Sequence, residues 1–182
     1  MTFDIYLFHL LNDPAGKYKI LDYAGIFLAS YLPYVLALAA AIILLSERNW
    51  KLRFFNTALV ALSILLSRGL FTIVIRYFWN RPRPFVSMPD ITALIGKSSE
   101  ASFPSGHATF FFALAFAILF IDKKWFKYFL TGAIVVGIAR VFVGVHYPLD
   151  ILGGALVGWL GAYLVSKLLP RMRNQDAHSE NV

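Results

Sequence analysis

The sequence predicts an all-α integral membrane protein: a helical bundle of about five transmembrane helices plus an N-terminal interfacial helix. Three observations predict it. Of the 182 residues, 59% are hydrophobic and only 15% are charged, a membrane composition rather than a soluble one. Five apolar stretches approach the roughly 20 residues that a helix needs to cross the hydrocarbon core. Turn residues or clusters of charge separate them.

The elements follow in order. Residues 3–11 are apolar but too short to cross a bilayer. Phe3, Tyr6, Leu7, Leu10 and Leu11 recur at helical spacing, with Asp4 elsewhere on the wheel, so this segment is expected to lie in the interface. Asn12-Asp13-Pro14 ends it. Span 1 is expected over residues 21–45, kinked at Pro33, and span 2 over 54–79, after the basic loop 46–53. Residues 80–104 form the longest non-apolar stretch, broken by Pro82, Pro84, Pro89, Gly96 and Pro104. Span 3 is expected over 105–121, span 4 over 125–145 after Asp122-Lys123-Lys124, and span 5 over 148–169. Residues 1–169 thus read as one membrane-embedded domain and 170–182 as a polar, disordered cytoplasmic tail.

Five spans put the two ends on opposite sides, and the basic residues orient them. Arg48, Lys51, Arg53, Lys123, Lys124, Lys127, Lys167, Arg171 and Arg173 share one face, which the positive-inside rule makes cytoplasmic. Lys17, Lys19, Arg76, Arg81, Arg83, Lys97 and Arg140 fall on the other. The bias sharpens if Arg76, Arg83 and Arg140 are there to bind an anion. The formal charge of +7 therefore reads as span-flanking charge, and no nucleic-acid partner is expected. There is no cysteine, which excludes disulfides and thiolate metal sites. The start carries Asp4 and no basic run, so it does not read as a signal peptide.

This topology brings the end of span 2, the start of span 3, the end of span 4 and the start of span 5 to one membrane face. Ionisable residues are costly in a bilayer and mark functional sites by default. His146 and Asp150 are four apart, with Pro148 suited to the first turn of a helix. The carboxylate can accept a hydrogen bond from Nδ1–H, which leaves Nε2 unprotonated and free as a nucleophile. The pair equally fits a cap that only fixes the turn. Pro104-Ser105-Gly106-His107 opens span 3, where free amides suit a phosphate and Gly106 permits close approach; it also fits a plain loop-to-helix boundary. Arg76, Arg83 and Arg140 offer planar forks for phosphate oxygens, with snorkelling at helix ends as the other reading, above all for Arg81.

In combination these residues resemble the three-part signature of the type 2 phosphatidic acid phosphatase family. Arg76, six residues, then Arg83-Pro84 fits the first part, with arginine where the family has lysine. Pro104-Ser105-Gly106-His107 is the second part intact. Ala139-Arg140, five residues, His146, three residues, Asp150 fits the third, with alanine where the family has serine. The resemblance implies that His146 attacks phosphorus and forms a phosphohistidine, with Asp150 orienting it. It implies that His107 protonates the leaving oxygen and then activates water. Arg76, Arg83, Ser105, Gly106 and Arg140 would hold the phosphate, with no metal or other cofactor. The substrate would be a lipid phosphate or pyrophosphate. Within the family the chain looks most like the bacterial undecaprenyl pyrophosphate phosphatases, which act on the outer face of the cell membrane. Relatives that act on phosphatidylglycerophosphate, phosphatidate or lipid A share the motifs, and a non-hydrolytic lipid-phosphate transporter would use the same pocket. Arg68 belongs to no motif. It could snorkel outward, pair with a carboxylate such as Asp22, or meet a second phosphate.

Overall fold

A computed structural model describes residues 3–88, 90–96 and 100–169. The expected tail from Pro170, with Arg171, Arg173 and His178, lies outside the described residues, as do Pro89 and Lys97. The described residues are helical, with no strand among them.

Phe3–Asn12 (α1) is the short first helix. Lys19–Ser30 (α2) and Leu32–Leu45 (α3) make one apolar run of 27 residues. The break falls at Tyr31, two residues ahead of Pro33, which sits in the first turn of α3 and interrupts the turn before it. Trp50–Ile64 (α4), a π-helical segment Leu65–Phe71 and Thr72–Phe78 (α5) make a second run of 29 residues. Pro84–Ser87 (α6) is a single turn in the long loop. Gly106–Leu119 (α7), Lys123–Phe142 (α8) and Pro148–Leu168 (α9) complete the bundle. The runs 19–45, 50–78, 123–142 and 148–168 are long and apolar enough to cross a membrane, and α7 is a shorter apolar helix. Their outward faces expose Leu38, Ile42, Leu65, Ile73, Leu152 and Leu156, as a bundle surrounded by lipid requires.

The core forms around α7. Ala108, Phe111, Phe112, Ala113, Leu114, Ala115, Ala117 and Ile118 are all buried there, against α4, α8 and α9. Lipid is as apolar as leucine, so close packing holds such helices together. Two glycines on α9 supply the close packing. A methyl at Gly158 would lie 2.6 Å from the Ala113 amide, and one at Gly154 would lie 2.7 Å from the Ala108 methyl. The four-residue Gly154–Gly158 spacing is the small-residue pattern of closely crossing membrane helices. It locks the start of α7 to the start of α9.

Length recesses that junction. At 1.5 Å per residue the 14 residues of α7 span about 21 Å, and the 20 of α8 about 30 Å. A tight turn at Phe120–Asp122 joins them at one end. At the other end the start of α7 is therefore set inward from the end of α8.

α1 is anchored by its polar side. Asp4, Phe8 and Asn12 are buried at four-residue spacing, and Phe3, Tyr6 and Leu10 face outward. Asn12 donates from Nδ2 to the Thr92 and Phe142 carbonyls at 2.9 and 2.7 Å. Gly144, at φ +81, turns the chain after α8, and a side chain there would strike the Thr92 carbonyl.

Candidate active site

Two prolines shape the first wall of the site. Arg81 and Arg83 each precede a proline, which bars the helical region and keeps that backbone extended. Arg83 has φ −76 and ψ 159. At the three residues per turn of the polyproline region, side chains two apart point in different directions. Arg83 is buried and donates from Nε to the Glu100 carbonyl at 2.8 Å and from Nη1 to the Val145 carbonyl at 3.3 Å. Arg81 turns the other way. Its Nη1 lies 2.7 Å from Asp150 Oδ1 and its Nη2 2.5 Å from Asp4 Oδ2, and the guanidinium stacks 4.0 Å over the Tyr147 ring. Snorkelling is thereby corrected: two carboxylates inside the protein hold this arginine more strongly than headgroup water would. Burial opposes its charge, but Asp4 and Asp150 outweigh that and raise its pKa above the ordinary guanidinium value.

His146 occupies the turn between α8 and α9 and is 1% exposed. Its Nδ1 lies 3.5 Å from Asp150 Oδ2, the long edge of a hydrogen bond, and 3.4 Å from Ser102 Oγ. Ser102 Oγ also donates to Asp150 Oδ2 in a short hydrogen bond. The same oxygen accepts from the Tyr147 amide at 2.8 Å. Asp150 is thus a carboxylate saturated with donors, and it holds both the imidazole and the first turn of α9. Burial pushes the His146 pKa down to about 4; Asp150 opposes the fall, and Arg83 and Arg140 add to it. The imidazole is neutral at neutral pH, as a nucleophile must be.

The Pro104–His107 segment joins this group through the Ser105 amide, which donates to the Asp150 carbonyl at 3.0 Å. Ser105 caps α7, its Oγ accepting from the Ala108 amide at 3.5 Å. His107 lies half-buried in the first turn, within electrostatic reach of Arg140, His146, Arg68 and Arg83. The space beside Gly106 is not left for a ligand: a Cβ there would lie 2.6 Å from Arg68 Nε. The Arg68 guanidinium lies over this glycine. The Gly106 amide still belongs to the open helix start.

Arg76, at the end of α5, donates to Glu100 Oε2 at 2.6 Å and to the Pro104 carbonyl at 3.0 Å. Glu100 is therefore tied to the end of α5. Hydrogen bonding to Arg76 holds its carboxyl below the usual range, and Arg68 and Arg83 act in the same sense. Burial depresses the Arg83 pKa, and the neighbouring Arg76 depresses it further. The Nε–H groups of Arg76 and Arg140 are buried without a hydrogen-bond partner among the described residues. Such donors are costly to leave unmade, and they are the groups an anion would satisfy.

The structure thus gathers every residue expected at the site from four separate segments. Sequence reasoning missed Ser102, Asp4 and Arg81. A lone acid in an apolar helix and the first arginine of Arg81-Pro82-Arg83-Pro84 were signals for two of them; nothing local marks Ser102.

The PAP2 superfamily profile matches residues 57–173, which include all three motif segments. The chain belongs to the PAP2 superfamily. It is 33% identical over 165 residues to the "Bacitracin transport permease protein BcrC" of Bacillus licheniformis, covering 91% of this chain and 80% of that one. It is 29% identical over 169 residues to the "Undecaprenyl-diphosphatase BcrC" of Bacillus subtilis, covering 92% and 84%. Its fold is similar to the crystal structure of Aquifex aeolicus LpxE, with TM-score 0.75, 26% identity and coverage of 92% and 96%. This PAP2 protein is a multi-pass membrane lipid phosphatase, a hydrolase acting on lipid phosphate esters.

Proposed function

We propose that this PAP2 enzyme removes the terminal phosphate of a polyisoprenyl diphosphate, most simply undecaprenyl diphosphate, at the outer face of a bacterial cytoplasmic membrane. The observation that carries the chemistry is His146, buried and neutral, with Nδ1 turned to Asp150 and Ser102. Its Nε2 attacks the terminal phosphorus while the bond to the bridging oxygen breaks. His107 gives its proton to that oxygen, and the lipid monophosphate leaves. Water then attacks the phosphohistidine, His107 takes its proton, and inorganic phosphate leaves with His146 restored. Arg76, Arg83, Arg140 and the α7 amides at Gly106 and His107 hold the charge that builds on the equatorial oxygens, with Ser105 as the cap that fixes those amides. Asp150 keeps the imidazole oriented. The chemistry is carried without a metal, by charged arginines in place of a divalent ion.

The substrate reading is supported by relatives named for undecaprenyl diphosphate and for bacitracin transport. A lipid substrate suits a recessed site among spans, since the chain can remain in the bilayer while the headgroup enters. The outer-face orientation is supported by the basic loops at 46–53 and 122–127, which lie at the other end of the bundle. Residues 1–169 would act as one catalytic domain, with 170–182 as a cytoplasmic tail.

The test is phosphate release by the purified protein over undecaprenyl diphosphate, phosphatidylglycerophosphate, phosphatidate and lipid A. The diphosphate should be turned over fastest. His146→Ala should lose at least about four orders of magnitude, with its melting profile retained. Faster release from phosphatidylglycerophosphate would overturn the substrate. Full activity in His146→Ala would overturn the nucleophile, and lipid binding with no phosphate release would make the chain a binding protein.

A further inference from the structure

Arg68 is a motif-free cation beside the site, and its surroundings assign it work. It lies in the π-helical segment Leu65–Phe71, where Thr72 Oγ1 donates to the Ser67 carbonyl five residues back. π-Segments inside α-helices are frequent at functional positions, because the extra residue re-aims a side chain. Here the Arg68 guanidinium comes to rest on Gly106, at the start of α7. It does not snorkel. It does not pair with Asp22 either, whose carboxylate accepts from the Gly16 amide at 2.9 Å. Among the described residues Arg68 makes no ion pair or side-chain hydrogen bond.

Arg68 and His107 together form the polar end of a cavity of about 290 Å³. Its remaining walls include Pro33, Tyr34, Phe110 and Phe111, from the α2–α3 break and the buried helix α7. The lining is thus mainly apolar, with Arg68 as its cationic side chain and Ser30 and His107 also polar. It does not contain Arg76, Arg83, Arg140 or His146, so it adjoins the phosphate cradle without being part of it.

Resting on the reading above, in which His107 protonates the departing oxygen, we propose that Arg68 binds the second, lipid-proximal phosphate of a diphosphate substrate. The apolar cavity then takes the first part of the lipid chain. The leaving group in this reaction is a lipid phosphate. As the phosphorus–oxygen bond breaks, its electron pair passes to the bridging oxygen of that group. The proton from His107 and the fixed charge of Arg68 neutralise it where it forms. A lipid monophosphate has an alcohol as leaving group and offers Arg68 nothing to hold. Arg68 is therefore a specificity-determining residue for diphosphate over monophosphate lipids.

The experiment compares wild type, Arg68→Gln and Arg68→Lys in detergent micelles, with farnesyl diphosphate and phosphatidate as the two substrates. Arg68→Gln should lose about 10- to 100-fold in kcat/KM on the diphosphate, the range for one charged hydrogen-bonding partner, and less than about 3-fold on phosphatidate. Arg68→Lys should recover part of the diphosphate activity. Equal losses on both substrates, or none on either, would overturn the proposal. A second readout does not depend on turnover. In the His146→Ala background the protein should bind farnesyl diphosphate about 10-fold more tightly than farnesyl monophosphate, and Arg68→Gln should erase that ratio. A ratio that is unaffected overturns the assignment even if Arg68→Gln is poorly active. Failure of the wild type on both substrates, by contrast, would strike the phosphatase reading itself.

Discussion

Arg81 and Arg83 stand two residues apart in one Arg-Pro-Arg-Pro run and end in opposite situations. Arg81 has both of its Nη groups on carboxylates and an aromatic ring beneath it. Among the described residues Arg83 meets the Glu100 and Val145 carbonyls, beside a cluster in which Arg76 and Arg140 keep N–H groups without a hydrogen-bond partner. The prolines hold the backbone in the polyproline region, where three residues per turn point side chains two apart in different directions. The lesson is that a matched arginine holds structure, whereas an under-matched one keeps donors free for an anion. Asp150 sits between the two regimes, taking Arg81 on Oδ1 and leaving Oδ2 for Ser102, the Tyr147 amide and His146.

Substitutions can break this contrast. The largest effect should come from Arg83→Ala, which should cut kcat/KM by about 10²- to 10³-fold, as for loss of one charge-stabilising donor, while the melting temperature moves little. Steady-state kinetics with a thermal melt checks it, and a large fall in melting temperature with intact kcat would reverse the assignment of the two arginines. Arg81→Ala should behave oppositely. It leaves Asp4 and Asp150 buried without their partner, at a cost of about 2–3 kcal/mol, since Arg81 itself keeps some solvent contact. The melt should drop by about 5–10 °C. A cycle with Asp4→Asn should show the two changes to be strongly non-additive.

The smallest effect is on pH. The His146 imidazole is depressed to about 4 in the fold and returns to about 6.5 when unfolded. A depressed basic group disfavours the protonated fold. Its contribution to stability is therefore complete above about pH 6.5 and is lost as pH falls towards 4. Arg83→Gln removes one of the charges that depress it, so the acid limb of kcat/KM should move to higher pH. An acid limb that stays in place would separate Arg83 from His146 electrostatically.

The bundle itself was legible in the sequence. All five spans lie within a few residues of the helices found, because length and hydropathy suffice to place a membrane helix. The motif residues were legible because each is a costly polar group in an apolar chain. The remainder was not local. Ser102 acts through a carboxylate 48 positions away, and Asp4 through an arginine 77 positions away. The break at Tyr31 follows from Pro33, which disrupts the helical turn before it.

The sequence by itself determined the class of molecule, where its apolar helices fall and the residues with chemistry to offer, since periodicity and composition carry those. Only the tertiary structure decided which arginine faces which partner. It paired Arg81 with Asp4 and Asp150, placed Arg68 on Gly106 and joined Arg76 to Glu100. The physical reason is that a charge in a membrane bundle is placed by the partners that offset its burial. Those partners come from segments that meet only after the helices have packed.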